Sequence, residues 1–438
     1  MRILIICPTM IDSDGQLIKV KKNTLIPQSI YYLAGMVDKK HEVFCIDEAV
    51  EDIDFNVKYD LVGITATTIT AKRAYAIASE FRSRGTTVVM GGIHVSMVPD
   101  EAQHYADSIV VGEAEKSWPQ CIHDFENGCL NKKYVDTSRA SLQKLPYPRF
   151  DLIRMNKYIK FPFKKTPFIS IQTARGCPHN CDFCSVTKFW GSKIRYRPLE
   201  EVINEIKLSG ADMVFFTDDN FITNPRRVRQ LCELLIPLKI NYFCQIDALA
   251  YKHPDLIELL SRSGCIMTFI GFESISTSTL SAFNKTFNDP NNYSQLIHLL
   301  DKNGIITFAS AIFGMENDTP EVVKNTVAFF EENKTPIASF WPLCPFPGTN
   351  LYEKLVRSSQ LIEREWWLND IDIYKKFSTL QSHDYISEDL ARLGMEKFYS
   401  LKSIMKRTFS FKLHRIISLV INLNARWKLK KYQVSTII

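Results

Sequence analysis

The sequence lacks any uninterrupted apolar run of about 18 residues, the length a membrane-spanning helix needs, so no segment is expected to cross a bilayer. It also lacks low-complexity tracts and short-period repeats, which excludes a solenoid. The opening run Ile3-Leu4-Ile5-Ile6-Cys7 is too short and too strand-like for a signal peptide, and the expected location is the cytoplasm. Its 11 cysteines are spread over 438 residues, unlike the crowded cysteines of a secreted disulfide scaffold. In a reducing compartment, a tight group among them points to a metal or to catalysis. Acidic residues are missing from 401–438, which hold nine Lys or Arg and no Asp or Glu. The formal net charge of +6 is therefore a property of the tail. The body carries no basic footprint for phosphates, and no nucleic acid partner is expected.

What is present is a repeated alternation of short and long patterns. At 45% apolar and 23% charged, the chain is long enough for two or three globular domains. Over residues 1–130, β-branched runs at Arg2–Cys7, Glu42–Asp47, Leu61–Thr65, Thr87–Met90 and Ser108–Val111 alternate with amphipathic stretches at Ser29–Val37, Ala71–Ser83 and Glu115–Phe125. This series predicts an α/β, doubly wound domain of Rossmann or flavodoxin type, with its ligand outside the carboxyl ends of the strands. Small or flexible residues stand at those ends: Thr65-Ala66-Thr67, Gly91-Gly92 and Gly112-Glu113. Residues 131–164, with Pro146, Pro148 and Pro162, read as a linker. Over 165–355 a second alternation predicts a partial (β/α)6 barrel of TIM type, with strands at Phe168–Thr173, Met213–Thr217, Tyr242–Ile246, Met267–Phe272, Ile306–Ile312 and Ile337–Leu343. Residues 356–438 read as a helical C-terminal region with a basic amphipathic tail.

The segment Thr173-Ala174-Arg175-Gly176-Cys177-Pro178-His179-Asn180-Cys181-Asp182-Phe183-Cys184 follows the first strand of the second unit. Three thiols thus share one loop at a strand's carboxyl end, where barrel chemistry sits. Four thiolates complete an iron–sulfur cubane for electron transfer, whereas three leave one iron open to another ligand. The alternative is a zinc site with His179 as fourth ligand. The three-then-two spacing, with an aromatic residue before the last cysteine, resembles the radical S-adenosylmethionine (SAM) superfamily.

That resemblance implies that Cys177, Cys181 and Cys184 hold a 4Fe-4S cluster whose open iron is chelated by SAM. One electron, from a donor such as flavodoxin or ferredoxin, would then release a 5′-deoxyadenosyl radical. The resemblance also implies that Phe183 packs on the adenine, and that Asp218 and Asn220, within Thr217-Asp218-Asp219-Asn220-Phe221, lie near the methionine moiety. Gln245, Glu273 and Ser274 fall at later strand ends that reach the methionine or ribose. Asp218 and Asp219 also read as helix caps before Pro225, and Glu273 as half of a buried ion pair.

The N-terminal unit is similar to the cobalamin-binding module of one branch of that superfamily, resembling its class B methyltransferases. The resemblance implies that hydroxyls at Thr65 and Thr67 bond the buried nucleotide tail and that Gly91, Gly92 and Gly112 let backbone approach a flat ligand. The Asp-x-His-x-x-Gly motif, whose histidine ligates cobalt from below, is missing from the loop Pro8 to Gly15. His94 reads as a loop surface residue and no replacement.

A methyltransferase of this kind uses one SAM to methylate the cobalt and another to make the radical, which abstracts hydrogen from an unactivated carbon of a small-molecule or lipid-like substrate. No general base is needed at that carbon, in keeping with the lack of a Ser-His-Asp or paired-carboxylate constellation. The alternatives are a radical SAM cyclase or oxidoreductase of the same architecture and a non-catalytic regulator that binds cluster or cobalamin. In the tail, Phe409, Phe411, Leu413, Ile416, Ile417, Val420, Ile421, Leu423 and Trp427 stand among basic residues. They read equally as an interfacial helix on anionic lipid, with the protein peripheral to the membrane, or as a helix docked on the barrel with a solvated basic face.

Overall fold

Ile3, Leu4, Ile5 and Ile6 are all buried, because a parallel strand covered by helices on both faces has no solvent side. They form β1 (Arg2–Cys7) in the computed structural model, which describes residues 1–438 except 13, 162–163, 362, 370–386, 410–411 and 433–438. Pro162 and Phe411, singled out above, lie outside the described residues. Five more strands complete this sheet: β2 (Glu42–Asp47), β3 (Leu61–Thr65), β4 (Thr87–Gly91), β5 (Ser108–Val111) and β6 (Lys133–Val135). All pair in parallel in the order β2-β1-β3-β4-β5-β6. The order reverses between β1 and β3, the place where doubly wound sheets open a crevice. β6 lies in the stretch that reads as a linker; three residues with only the middle one buried give no readable alternation.

The second sheet starts with β7 (Ile169–Ile171) and runs into a small antiparallel ribbon, β8 (Ala174–Arg175) against β9 (Arg195–Tyr196). It continues with β10 (Met213–Phe216), β11 (Asn241–Ile246), β12 (Cys265–Glu273), β13 (Ile306–Phe313) and β14 (Ile337–Pro342), all parallel in the order β7-β10-β11-β12-β13-β14. Helices alternate with these strands. Pro225–Leu235, for example, begins on an Asn224 side chain that accepts from the Arg227 N–H, and it buries Val228, Leu231, Cys232 and Leu235 along one face.

One apolar cluster extends from Ile3 and Ile5 of the first sheet to Ile171, Val214 and Phe216 of the second. The exposed edge of β7 is covered by the N-terminal unit, where Leu25 bridges to Phe168. Residues 131–164 are pinned as well, for the Tyr158 hydroxyl is buried and donates to Asp47 at 3.0 Å.

Three helices, Ser387–Phe398, Leu401–Thr408 and Leu413–Tyr432, complete the described chain. The last crosses the amino ends of β13 and β14. Arg407 donates to the carbonyls of Thr335 and Pro336 at 2.9 Å each and to Asn422 at 2.9 Å, while Asn422 donates to the Pro336 carbonyl. Asp301, just before β13, accepts from Arg415 at 2.6 Å and lies 2.7 Å from His414. Ile417 and Ile421 reach into the barrel floor against Ile306, Phe308 and Ile337.

Burial alone would raise the Asp301 carboxyl, but the His414 bond and the charges of Arg415 and Lys412 hold it at about 2, below its ordinary 3.8. A depressed carboxyl contributes its stability above the unfolded value and loses it as pH falls through the folded one. The docking of Leu413–Tyr432 is therefore expected to weaken between pH 3.8 and about 2. In Asp301→Asn it should already be weaker at neutral pH, read as faster amide exchange of that helix relative to the barrel strands. Equal exchange in the two proteins would remove Asp301 from this role.

Candidate active site

The cluster loop is held at its base by the β8–β9 ribbon, in which Arg175 pairs with Arg195. Gly176 follows with φ +103°, and a Cβ there would stand 2.8 Å from the Lys193 carbonyl oxygen, so the turn needs glycine. Three backbone bonds fasten the rest: Cys177 N–H to the Gly191 carbonyl at 3.3 Å, Asp182 N–H to Phe283 at 3.0 Å, and Leu351 N–H to the Asp182 carbonyl at 2.8 Å.

Cys177, Cys181 and Cys184 are free thiols on this loop. Burial pushes Cys177 up to about 11 and Cys181 up to about 12, and it raises Cys184 as well. Neighbouring thiols add to the Cys177 and Cys181 shifts, as expected of sulfurs gathered in one place. Such thiols hold their protons at neutral pH until a metal displaces them. Among the described residues no three His, Cys, Asp or Glu side chains converge on a single ion. A cubane spreads its ligands more widely than one ion does, and the donor set of three thiolates fits it. His179 is engaged elsewhere, 3.3 Å from Asp247 and stacked on Phe287 with ring centroids 3.5 Å apart, so the zinc alternative loses its fourth ligand.

The strand ends around the thiols sort the remaining candidates. Asp218 accepts from the Thr173 N–H and hydroxyl at 2.5 Å each and from the Ala174 N–H at 3.1 Å. It braces the start of the cluster loop and caps no helix. Asp219 is the carboxylate turned toward the thiols: one of its oxygens is buried without a hydrogen-bond partner, and burial together with Asp218 pushes it up to about 7. Asn220 donates to Asp247 at 2.7 Å, and Gln245 donates to the Asp218 carbonyl at 3.4 Å. Glu273, at φ +61°, accepts from Lys285 at 2.8 Å and from Ser310 at 3.2 Å, which is the buried ion pair of the second reading. Ser274 accepts from the Ser276 N–H. Phe183 meets Phe283 edge-on at 5.2 Å, with the Lys285 ammonium 5.9 Å from its ring.

Thr65, Thr67, Gly91, Gly92 and Gly112 all line a single cavity of about 300 Å³ at the carboxyl ends of β3, β4 and β5. Gly92 has φ +100°, and a Cβ on it would lie 2.7 Å from the Ala66 carbonyl oxygen. The far wall belongs to the other module: Arg175, Phe189 and Trp190 come from the cluster loop and the helix after it. Arg175 bonds Glu113 at 2.8 Å and Glu115 at 2.5 Å, with its guanidinium 4.5 Å from the Trp190 ring centroid. Burial opposes its charge, but Glu115, Tyr32 and Glu113 outweigh that and keep it cationic. Glu115 also keeps one buried oxygen without a partner, an acceptor suited to the amide-fringed rim of a corrin ring. His94 is neither on the surface nor a cavity ligand, correcting its reading as a loop residue. It is fully buried in the helix Ile93–Met97, 3.0 Å from the Tyr75 hydroxyl and 3.3 Å from Glu101.

Comparison with known proteins shows the family of each module. Residues 17–122 match the family model of the B12 binding domain, and residues 171–330 match that of the radical SAM superfamily. The chain is 30% identical over 412 residues to bacteriochlorophyllide d C-8(2)-methyltransferase of Chlorobaculum tepidum, covering 90% of each chain. The chain is a B12-binding radical SAM enzyme. The C-12(1)-methyltransferase of the same organism is 29% identical and is covered over 84% of its length, with 87% of this chain aligned. Among solved structures, TsrM from Kitasatospora setae superposes with a TM-score of 0.64 at 18% identity, over 83% of this chain and 79% of that one. OxsB reaches 0.67 at 15% identity, over 98% and 72%; these two likenesses speak to fold. This radical SAM enzyme is a cobalamin-dependent methyltransferase with a 4Fe-4S cluster, SAM and cobalamin as cofactors, and like its superfamily it needs a reductant.

Tyr32, Glu115, Arg175, Phe189 and Trp190 are the site residues that sequence reasoning passed over. The one available signal is charge: an acidic Glu113-Ala114-Glu115 after β5 faces an Arg175 placed just before the cysteines. Arg175→Met leaves Glu115 without its cation and is expected to cost about 3 kcal/mol. Urea unfolding should show this as a lowered midpoint, accompanied by loss of corrinoid on gel filtration; an unchanged midpoint would contradict it. Cys184→Ala should abolish the cluster's visible absorption in anaerobically reconstituted protein while leaving the corrinoid band, and persistence of the cluster band would disprove its ligand role.

Proposed function

We propose that this enzyme methylates an unactivated carbon of a rigid, largely apolar small molecule, a tetrapyrrole or a polycyclic lipid. The observation that carries this reading is the shared wall: residues of the cluster loop close the cavity whose other side is the glycine rim of the first sheet. Methyl source and radical source then open onto one space. The named substrates of relatives supply the class, since two methylate bacteriochlorophyllide d and a third, 24% identical over 87% of this chain, is a hopanoid C-2 methylase of Rhodopseudomonas palustris.

When bound, SAM and the cluster supply the 5′-deoxyadenosyl radical that removes hydrogen from the substrate carbon, and the corrinoid supplies the methyl group. The chain's own residues bind, orient and exclude. Cys177, Cys181 and Cys184 anchor the cluster on a loop that Asp218 and Gly176 hold in shape. Thr65, Thr67, Gly91, Gly92 and Gly112 would seat the corrinoid, and the unpartnered Glu115 oxygen would accept from its edge. Phe189 and Trp190 keep water from the path between them. Asp219, Asn220, Gln245, Glu273 and Ser274, at or just past the strand ends, would hold SAM, and Phe183 would pack beside its adenine. A flavodoxin or ferredoxin delivers the electron.

Incubating reduced, reconstituted enzyme with methyl-labelled SAM and either a bacteriochlorophyllide or a hopanoid tests the reading. Labelled product together with 5′-deoxyadenosine is expected, and neither should form with Cys184→Ala. Deoxyadenosine with an altered but unlabelled product would overturn methyl transfer in favour of a cyclase or oxidoreductase.

A further inference from the structure

The helix Leu413–Tyr432 carries apolar residues on its outer side as well as on the side that packs on the barrel through Ile417 and Ile421. Its barrel-facing side carries the polar residues Arg415, Ser418 and Asn422, which are at most 4% exposed: Arg415 and Asn422 donate to the Lys334 and Pro336 carbonyls just before β14, and Ser418 to the His414 carbonyl one turn back in the helix. Its outer side carries Leu413, Ile416, Val420, Leu423 and Trp427, at 73%, 45%, 64%, 45% and 53% exposure. Alternating steps of three and four residues place these five on one stripe about 21 Å long. A helix that met only water would turn such a stripe inward. Isolated exposed apolar residues are ordinary on a protein surface; a continuous row of this kind marks an interaction surface.

Charge selects the partner. Residues 401–438 contain nine Lys or Arg and no acidic residue. Lys402 and Lys430 are exposed, and Lys406 and Lys412 remain half exposed beside Glu331 and Asp301. A second copy of the chain would bring this positive rim against its own like, whereas an anionic surface complements it. No described helix is long and apolar enough to cross a membrane. We propose that the outer stripe of Leu413–Tyr432 seats the enzyme on anionic phospholipid, lying in the plane of the headgroups with Trp427 at the interface. The seat is at the amino ends of the barrel strands, opposite the cysteines, so the open end of the site faces away from the bilayer. This surface stands on the tail helix alone and holds whatever the substrate is.

Holoenzyme is centrifuged with vesicles of phosphatidylglycerol and phosphatidylcholine, and separately with phosphatidylcholine alone. Sedimentation with the anionic vesicles only is expected, weakening as salt rises from about 0.05 to about 0.5 M. The double variant Val420→Ser, Leu423→Ser should partition on the order of tenfold more weakly, with an unchanged urea midpoint and cluster spectrum. No wild-type sedimentation, equal binding to neutral vesicles, or equal binding by the variant would overturn the proposal. So would light scattering that finds a dimer which the same two substitutions convert to monomer, since a second copy would then cover the stripe.

Discussion

Arg175 enters the space between the two sheets fully charged and with almost no contact with water, and there it meets Glu113 and Glu115 from the other module. A cation stripped of water is tolerated only when carboxylates in good geometry replace the lost hydration. Here they do, and Arg195 adds a second cation on Glu113 at 2.6 Å. Because Arg175 lies two residues before Cys177 and Glu113 follows β5, this ion cluster sets the distance between the corrinoid cavity and the iron–sulfur loop. Apolar packing alone tolerates sliding; a buried bidentate network does not. The geometry of methyl transfer thus depends on an electrostatic latch, with the shared hydrophobic core supplying the bulk of the cohesion behind it.

Around that latch the strand ends are kept in unusual backbone states. Gly92 and Gly176 turn where a Cβ would strike a carbonyl, and Glu273 holds a left-handed conformation without being glycine. Strain of this kind persists where surrounding contacts over-determine it, and the Lys285 and Ser310 bonds to Glu273 do so here. Lys285 also places a cation beside Cys181 and Cys184, lowering the cost of gathering thiolates in a buried loop. Lys285 thus offsets part of the burial that otherwise keeps these thiols protonated.

Much of this could be read from the residues. Ala71–Ser83 forms a helix within the limits that its periodicity suggests. The cysteine spacing and the Thr and Gly strand ends led to both cofactors. The orientation of Asp218 against Asp219 was not legible, since neighbours at a strand end face opposite sides and only the partner loop, through Thr173, decides which is braced. The Arg175 latch was hidden for a similar reason: its partners come from another module, and no local pattern joins them. In the tail, periodicity revealed a stripe without telling which stripe turns inward. Free carbonyls at Lys334 and Pro336 decide that, by claiming Arg415 and Asn422 as donors.

The tail helix also closes the barrel from below, where Ile417 and Ile421 meet Phe308 and Ile337. A barrel stoppered at one end is a blind alley. The carboxyl ends of the strands are thus the face from which a ligand meets the cysteines, while the opposite end is spent on holding the sheet together.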